Sequence, residues 1–136
     1  MPNDPETEAL IRGYVEAAAA RDLDRVWPFY SDDIVYEDCA LGQVHHGIDA
    51  TKKFYVETMT SLDVTWVVDT IVATDEGFGV AGHMSGTHNH DLPGMPATGR
   101  PFSVPCASIG EVRGGKIVRN RDFWNNHSLL KQLGFL

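Results

Sequence analysis

The chain has 136 residues, 43% apolar and 22% charged, with a formal net charge of −8. Its length suits one domain over residues 1–136 whose core can enclose a cavity, and its acidic balance excludes nucleic acid and anionic membrane as expected partners. Cys39 and Cys106 are too few and too isolated for a disulfide scaffold or a cysteine-based zinc site. The start, Met1-Pro2-Asn3-Asp4-Pro5-Glu6, is polar and acidic, and no apolar run approaches transmembrane length, so a reduced, cytoplasmic protein is expected.

Asp4-Pro5-Glu6-Thr7 predicts a helix start, with Asp as N-cap, Pro at the first position and acid in the first turn. Thr7, Ile11, Tyr14, Val15 and Ala18 recur at helical spacing as its apolar face. Tyr14 lies mid-face, so its ring points inward and its hydroxyl needs a partner. Asp22 begins a short second helix carrying Leu23, Val26, Trp27 and Tyr30, which Ser31-Asp32-Asp33 ends. Residues 34–38 read as a short strand. Residues 39–47 read as a loop with His45-His46 at its surface. Residues 48–59 read as a third helix, with Phe54 and Tyr55 its heavy apolar residues.

The period then changes. Residues 64–74 alternate as a long strand, Asp75-Glu76-Gly77 turns it, and residues 78–88 return. Gly79, Gly82 and Gly86 inside that return predict bulges or sharp curvature. Residues 89–100 form a Pro- and Gly-rich loop. Residues 101–125 form a hairpin turned by Arg113-Gly114-Gly115-Lys116. Ser128 is expected to cap a last turn over residues 129–133, which Gly134 stops. Helices first and antiparallel strands after give the α+β class. A strongly curved sheet wrapped on the first helix would leave a cavity open at one end.

In the last strand, Val118, Asn120, Asp122 and Trp124 fall on one face, and Ile117, Arg119, Arg121 and Phe123 on the other. A carboxylate flanked by an amide and an indole is unusual core composition, and the arginines suit solvent or a partner better. Asp122 is therefore expected to face a cavity. The opposite face, with Ile117 and Phe123, is expected to form a homodimer surface.

Taken together, these stretches resemble the nuclear-transport-factor-2-like superfamily, a cone-shaped α+β fold with a curved antiparallel or mixed sheet around N-terminal helices. Tyr14-Val15, Arg21-Asp22-Leu23-Asp24, Ser31-Asp32-Asp33, Glu37-Asp38, Gly47 and Phe54-Tyr55 are similar to bacterial ketosteroid isomerases. That resemblance implies Tyr14 as oxyanion donor and Asp38 as proton shuttle, with Tyr30 and Tyr55 in a supporting network. Gly86-Thr87-His88, Pro96-Ala97-Thr98-Gly99-Arg100, Gly115-Lys116-Ile117 and Leu129-Leu130-Lys131-Gln132-Leu133-Gly134 resemble SnoaL-like polyketide cyclases. There the matching residue, Asp122, is the implied acid/base. The stretch from Gly115 through Phe123 also resembles limonene-epoxide hydrolases, in which that aspartate joins an arginine and a second aspartate. The chain departs from these patterns at three places. Ser108 falls near the isomerases' second acid, Asn89-His90-Asp91 keeps only the aspartate of the hydrolase Arg-x-Asp, and Cys39 stands where many relatives have proline.

A carboxylate in an apolar cavity loses hydration, and its pKa rises toward the range useful for proton transfer. Asp38 and Asp122 are the candidate bases. Tyr14, then His88, are the candidate donors to a developing enolate oxygen. Trp124, Asn120, Tyr30, Phe54, Tyr55, Met84, Cys106 and Ser108 are the expected substrate-binding residues. Plainer readings stand beside these: Asp122 paired with Arg119 or Arg121, a solvated Asp38, and a core Tyr14 bonded to a carbonyl. His83, His88 and His90 with Asp91 suggest a metal site, but wall and loop histidines are commoner, and none is expected. No cofactor is implied, because the substrate's own carbonyl can accept the electrons. The expected protein moves a proton on a small hydrophobic carbonyl compound, as a polyketide cyclase or an isomerase. Epoxide hydrolysis and a non-catalytic binding or assembly module are the alternatives.

Overall fold

The computed structural model describes residues 2–136. Its elements run α1 (Pro5–Ala19), α2 (Leu23–Val26), a 3₁₀ turn (Trp27–Phe29), β1 (Tyr30–Asp38), β2 (Gln43–His46), α3 (Ile48–Leu62), β3 (Thr65–Ala73), β4 (Gly77–Thr87), β5 (Pro101–Arg113), β6 (Lys116–Trp124) and α4 (Asn126–Leu133). The strands form one curved, unclosed sheet in the order β2-β1-β6-β5-β4-β3. Among the described residues, only β1 and β6 pair in parallel. This is the expected α+β cone.

Local chemistry sets the frame. Asp4 caps α1 by accepting the Thr7 N–H at 3.0 Å. Ile11, Tyr14, Ala17 and Ala18 then bury on one side of α1, against β3 and β4. α3 lies over β1, and α4 lies over β5.

Four local expectations change. Ser31-Asp32-Asp33 does not end a helix, because β1 already begins at Tyr30. The 39–47 loop contains an edge strand: Val35 through Asp38 pair with His46 through Gln43. Within it, His45 is half-buried and stacks on Phe54 with ring centroids 4.3 Å apart, instead of lying at the surface. Asn125, not Ser128, caps α4, accepting the Ser128 N–H at 2.9 Å. Asn125→Ala should therefore lower stability by about 1 kcal/mol in chemical denaturation; an unchanged midpoint would remove the cap from the account.

The fourth change alters a face. Glu111 pairs with Arg119 and Val112 with Ile117, so Val118 is an extra residue and the alternation of β6 shifts there. Ile117 is fully buried in the core as a result, and it does not share the outer face with Phe123.

Candidate active site

Asp38 and Asp122 are register partners where β1 and β6 run parallel. Both line a cavity of about 90 Å³. Strand alternation brings Tyr36 in beside Asp38, Ser108 beside Cys106, and Trp124 beside Asp122. Phe54, Tyr55, Thr58, Met59 and Leu62 line the opposite side at helical spacing along α3, and Val64, Trp66, Met84 and Ala107 complete the wall. Among the described residues, no lysine, arginine or histidine lines it.

The two carboxylates have different surroundings. Asp122 accepts the Tyr36 hydroxyl at Oδ2, and at Oδ1 the Ser108 hydroxyl at 2.6 Å and the Asn120 amide at 2.7 Å. Burial nevertheless holds its carboxyl above the ordinary aspartate range, outweighing those donors, and the nearby Asp38 adds to the rise. Asp38 is itself buried. It accepts the Leu41 N–H at 2.9 Å and the Trp124 indole N–H at 3.0 Å.

All four tyrosines of the chain gather behind and beside Asp122. Ring centroids lie 5.5 Å apart for Tyr14–Tyr30, 6.2 Å for Tyr30–Tyr36 and 6.2 Å for Tyr36–Tyr55. Burial raises every one of these phenols above the usual tyrosine range. Tyr36→Phe should move the Asp122 midpoint further up, because the phenol donates to the carboxylate form. Carboxyl-carbon NMR reads that shift directly, and a fall would mean the hydroxyl does not serve Asp122.

Not every expected residue reaches the cavity. Asp38, Asp122, Phe54, Tyr55, Met84, Cys106, Ser108 and Trp124 line it; Tyr14, Tyr30, Asn120 and His88 do not. Tyr14 is 1% exposed and bonds Tyr30 hydroxyl to hydroxyl at 2.8 Å, so it is not placed to meet a ligand oxygen. Asn120 acts through Asp122. His88 lies just past the end of β4, fully buried, with Nδ1 3.3 Å from the Thr98 hydroxyl and its ring 6.0 Å from that of Phe135. It is not a donor to this cavity. Neither Asp122 nor Asp38 pairs with an arginine; Arg119 reaches Glu37 at 3.9 Å instead. Cys106 accepts the Trp66 indole N–H, and burial pushes its thiol up to about 11, which leaves it a poor nucleophile.

Sequence reasoning missed Tyr36 and Trp66. Tyr36 was findable, since it stands two residues before Asp38 and so shares its strand face. Among the described residues, no three His, Cys, Asp or Glu side chains converge as a metal site. No helix there is long and apolar enough to cross a membrane.

The family described as SnoaL-like domain matches residues 11–120. The chain belongs to the SnoaL-like family. Asp122 lies two residues beyond that match, so its place in this SnoaL-like chain rests on the geometry above. No curated protein matches. Among solved structures, IdmH of Streptomyces antibioticus, a proposed polyketide cyclase, is 26% identical with a TM-score of 0.79, covering 93% of this chain and 97% of its own. A proposed polyketide cyclase of Xanthomonas campestris pv. campestris is 23% identical with a TM-score of 0.86, covering 98% and 100%. AclR of Streptomyces galilaeus, a proposed hydroxylase, is 24% identical with a TM-score of 0.81, covering 95% and 85%.

Proposed function

We propose that this SnoaL-like protein is a cofactor-independent acid/base enzyme acting on a small hydrophobic carbonyl compound, by aldol-type cyclisation or a double-bond shift. One observation carries the reading: two carboxylates in register on the wall of an apolar pocket, each held by neutral hydrogen-bond donors. Asp38, supported by two N–H donors, takes the proton from carbon beside the carbonyl. The released electron pair moves onto the carbonyl oxygen. Asp122, whose carboxyl burial raises above the ordinary aspartate range, donates a hydrogen bond to that oxygen from its protonated form, with the Tyr36 hydroxyl alongside. Returning the proton to a different carbon shifts a double bond; attack of the enolate carbon on a second carbonyl closes a ring.

This assigns the oxygen-facing role to Asp122 and Tyr36 instead of Tyr14 and His88. The hydrolase alternative needs an arginine between its acids, and none lines the pocket. Carboxyl-carbon NMR, assigned with Asp38→Asn and Asp122→Asn, tests the reading. Asp122 should titrate above an ordinary aspartate. If both titrate like exposed aspartates, the pocket is a binding module only. Labelled oxygen from water appearing in a diol would mark epoxide hydrolysis instead.

The homodimer surface is likewise proposed, with altered membership. Strand register puts Val67, Val72, Ile109 and Phe123 on one outer face, all more than a third exposed. Solution scattering should give twice the 15.0 kDa chain mass; a monomer would remove the proposal.

A further inference from the structure

The cavity is small for a ring-sized molecule. About 90 Å³ is less than the roughly 150 Å³ of a cavity that takes benzene, so such a ligand enters only if part of the wall moves. Most of the aromatic wall is tied down. Trp66 donates its indole N–H to Cys106 at 2.7 Å, Trp124 donates to Asp38 at 3.0 Å, and Tyr36 donates to Asp122. Tyr55 is buried against the rings of Trp27 and Tyr36. Phe54 is the exception. It is partly exposed on α3, and ring contacts hold it: His45 stacks on it at 4.3 Å, and Tyr36 is tilted beside it at 5.9 Å.

His45 stands on β2, the outermost strand of the sheet next to β1. Its side chain shares the inner face with Tyr36, its register partner, whereas the neighbouring His46 is exposed on the other face. The Nε2 atom of His45 is buried and, among the described residues, has no hydrogen-bond partner. A neutral ring tolerates this by keeping its proton on Nδ1. A protonated ring would bury a charged N–H without an acceptor, which costs far more. The attraction of a cation for the Phe54 face is the smaller effect at so exposed a site. The titratable groups facing the ring are Tyr36 and Asp38 from β1 and Glu57 from α3. Burial outweighs both carboxylates and holds the imidazole below the ordinary histidine range. The stack therefore belongs to the neutral ring and is lost as pH falls through that lowered midpoint.

We propose that His45 is a proton-controlled prop for the Phe54 wall of the pocket. Neutral, it holds Phe54 over the cavity. Protonated, it turns out to water beside the exposed Glu57, and Phe54 is free to swing after it and widen the cavity. His45 is thus a positioning residue that acts through Phe54. The proposal rests on this pocket receiving the ligand, as read above, and not on proton transfer within it; a pocket without turnover would carry the same gate.

The experiment is a pH titration of the full chain by NMR, with histidine and phenylalanine rings labelled, in the absence and presence of 1-tetralone, a neutral bicyclic ketone. The His45 ring should show a midpoint below the ordinary histidine range, and the Phe54 ring signals should move with that same midpoint. The ketone should bind more tightly as pH falls through it, by at most about tenfold per pH unit for a single proton. By reciprocity, bound ketone should raise the His45 midpoint. His45→Phe keeps a stacked ring that cannot titrate, so it should fix Phe54 and the ketone affinity at their high-pH values. His45→Ala removes the prop and should fix both at their low-pH values. Asp122→Asn should leave the shared His45 and Phe54 midpoint in place whatever it does to turnover, so the gate and the chemistry fail separately. Should a variant fail to fold, the two wild-type midpoints decide the matter. Phe54 shifts that persist in His45→Phe, or that vanish in Asp122→Asn, would assign the motion to the carboxylates and overturn the prop. Phe54 signals that ignore the His45 midpoint, or a ketone affinity that is the same at every pH, would overturn it as well.

Discussion

Asp122→Asn is expected to abolish turnover and, in the same molecule, to stabilise the fold at neutral pH. Loss of a positioned acid/base group should lower the rate by about 10²–10⁴-fold with the physiological substrate. The stability effect follows from the direction of the Asp122 shift. Burial raises its folded-state pKa above the unfolded value of about 3.9. The folded protein therefore binds this proton more tightly than the unfolded chain does. That contribution is full below the unfolded pKa and is lost as pH rises through the folded one. Above the unfolded value, folding must either keep this proton on or desolvate the carboxylate, whereas asparagine is neutral throughout.

The new amide can be accommodated. Ser108 and Tyr36 hydroxyls donate or accept by rotation, and the buried Oδ1 of Asn120 has no hydrogen-bond partner to lose. The melting temperature of Asp122→Asn should exceed that of the wild type at neutral pH, and the gap should close as pH falls below the ordinary aspartate range. Parallel melting curves across pH would refute the raised pKa, and retained turnover would remove Asp122 from the chemistry. Both outcomes together would leave a polar structural cluster and nothing more.

The α1 frame was legible because its signals are local: Asp4 capping Thr7, and an apolar stripe through Ile11, Tyr14 and Ala18 at helical spacing. The pocket was only partly legible because its decisive pairing is not local. Tyr36 meets Asp122, and Trp124 meets Asp38, across 86 positions each. Alternation along β6 gives the face that Asp122 shares with Trp124, but it cannot say which strand lies next to it. The same limit explains His88. Counting by twos from Met84 suggests a shared face, but β4 ends at Thr87 and the alternation ends with it. Ile117 differs for a related reason, since one extra residue at Val118 reverses the alternation of β6. β2 has few strand signals of its own and exists as the partner of β1. Tyr36 is different: it stands two residues before Asp38, so its shared strand face is a local signal in the sequence.

Gly86→Ala is expected to cause one of the largest stability losses of any single substitution, about 2–4 kcal/mol in urea denaturation. A Cβ at Gly86 would collide with the Leu62 carbonyl oxygen and lie 2.9 Å from that of Asp63. Both obstacles are backbone, so no side-chain rotation relieves them. Nor can the end of α3 simply retreat. Asp63 terminates α3 in a left-handed conformation at φ 45°, and its carboxylate holds Arg21 at 3.0 Å and Asn89 at 2.5 Å. Moving the end of α3 away breaks that clamp and lifts Met59 and Leu62, both of which line the cavity. The substitution should therefore lower stability and loosen the pocket together, so the Trp66 and Trp124 indole signals should broaden or shift while the fold persists. Gly42→Ala provides the comparison. It has the same added methyl and a positive φ of 68°, but nothing lies within 4 Å of the new atom. Its loss should be limited to backbone strain of about 1 kcal/mol. If the two variants unfold at the same urea concentration, the close approach of β4 to the end of α3 does not shape this pocket.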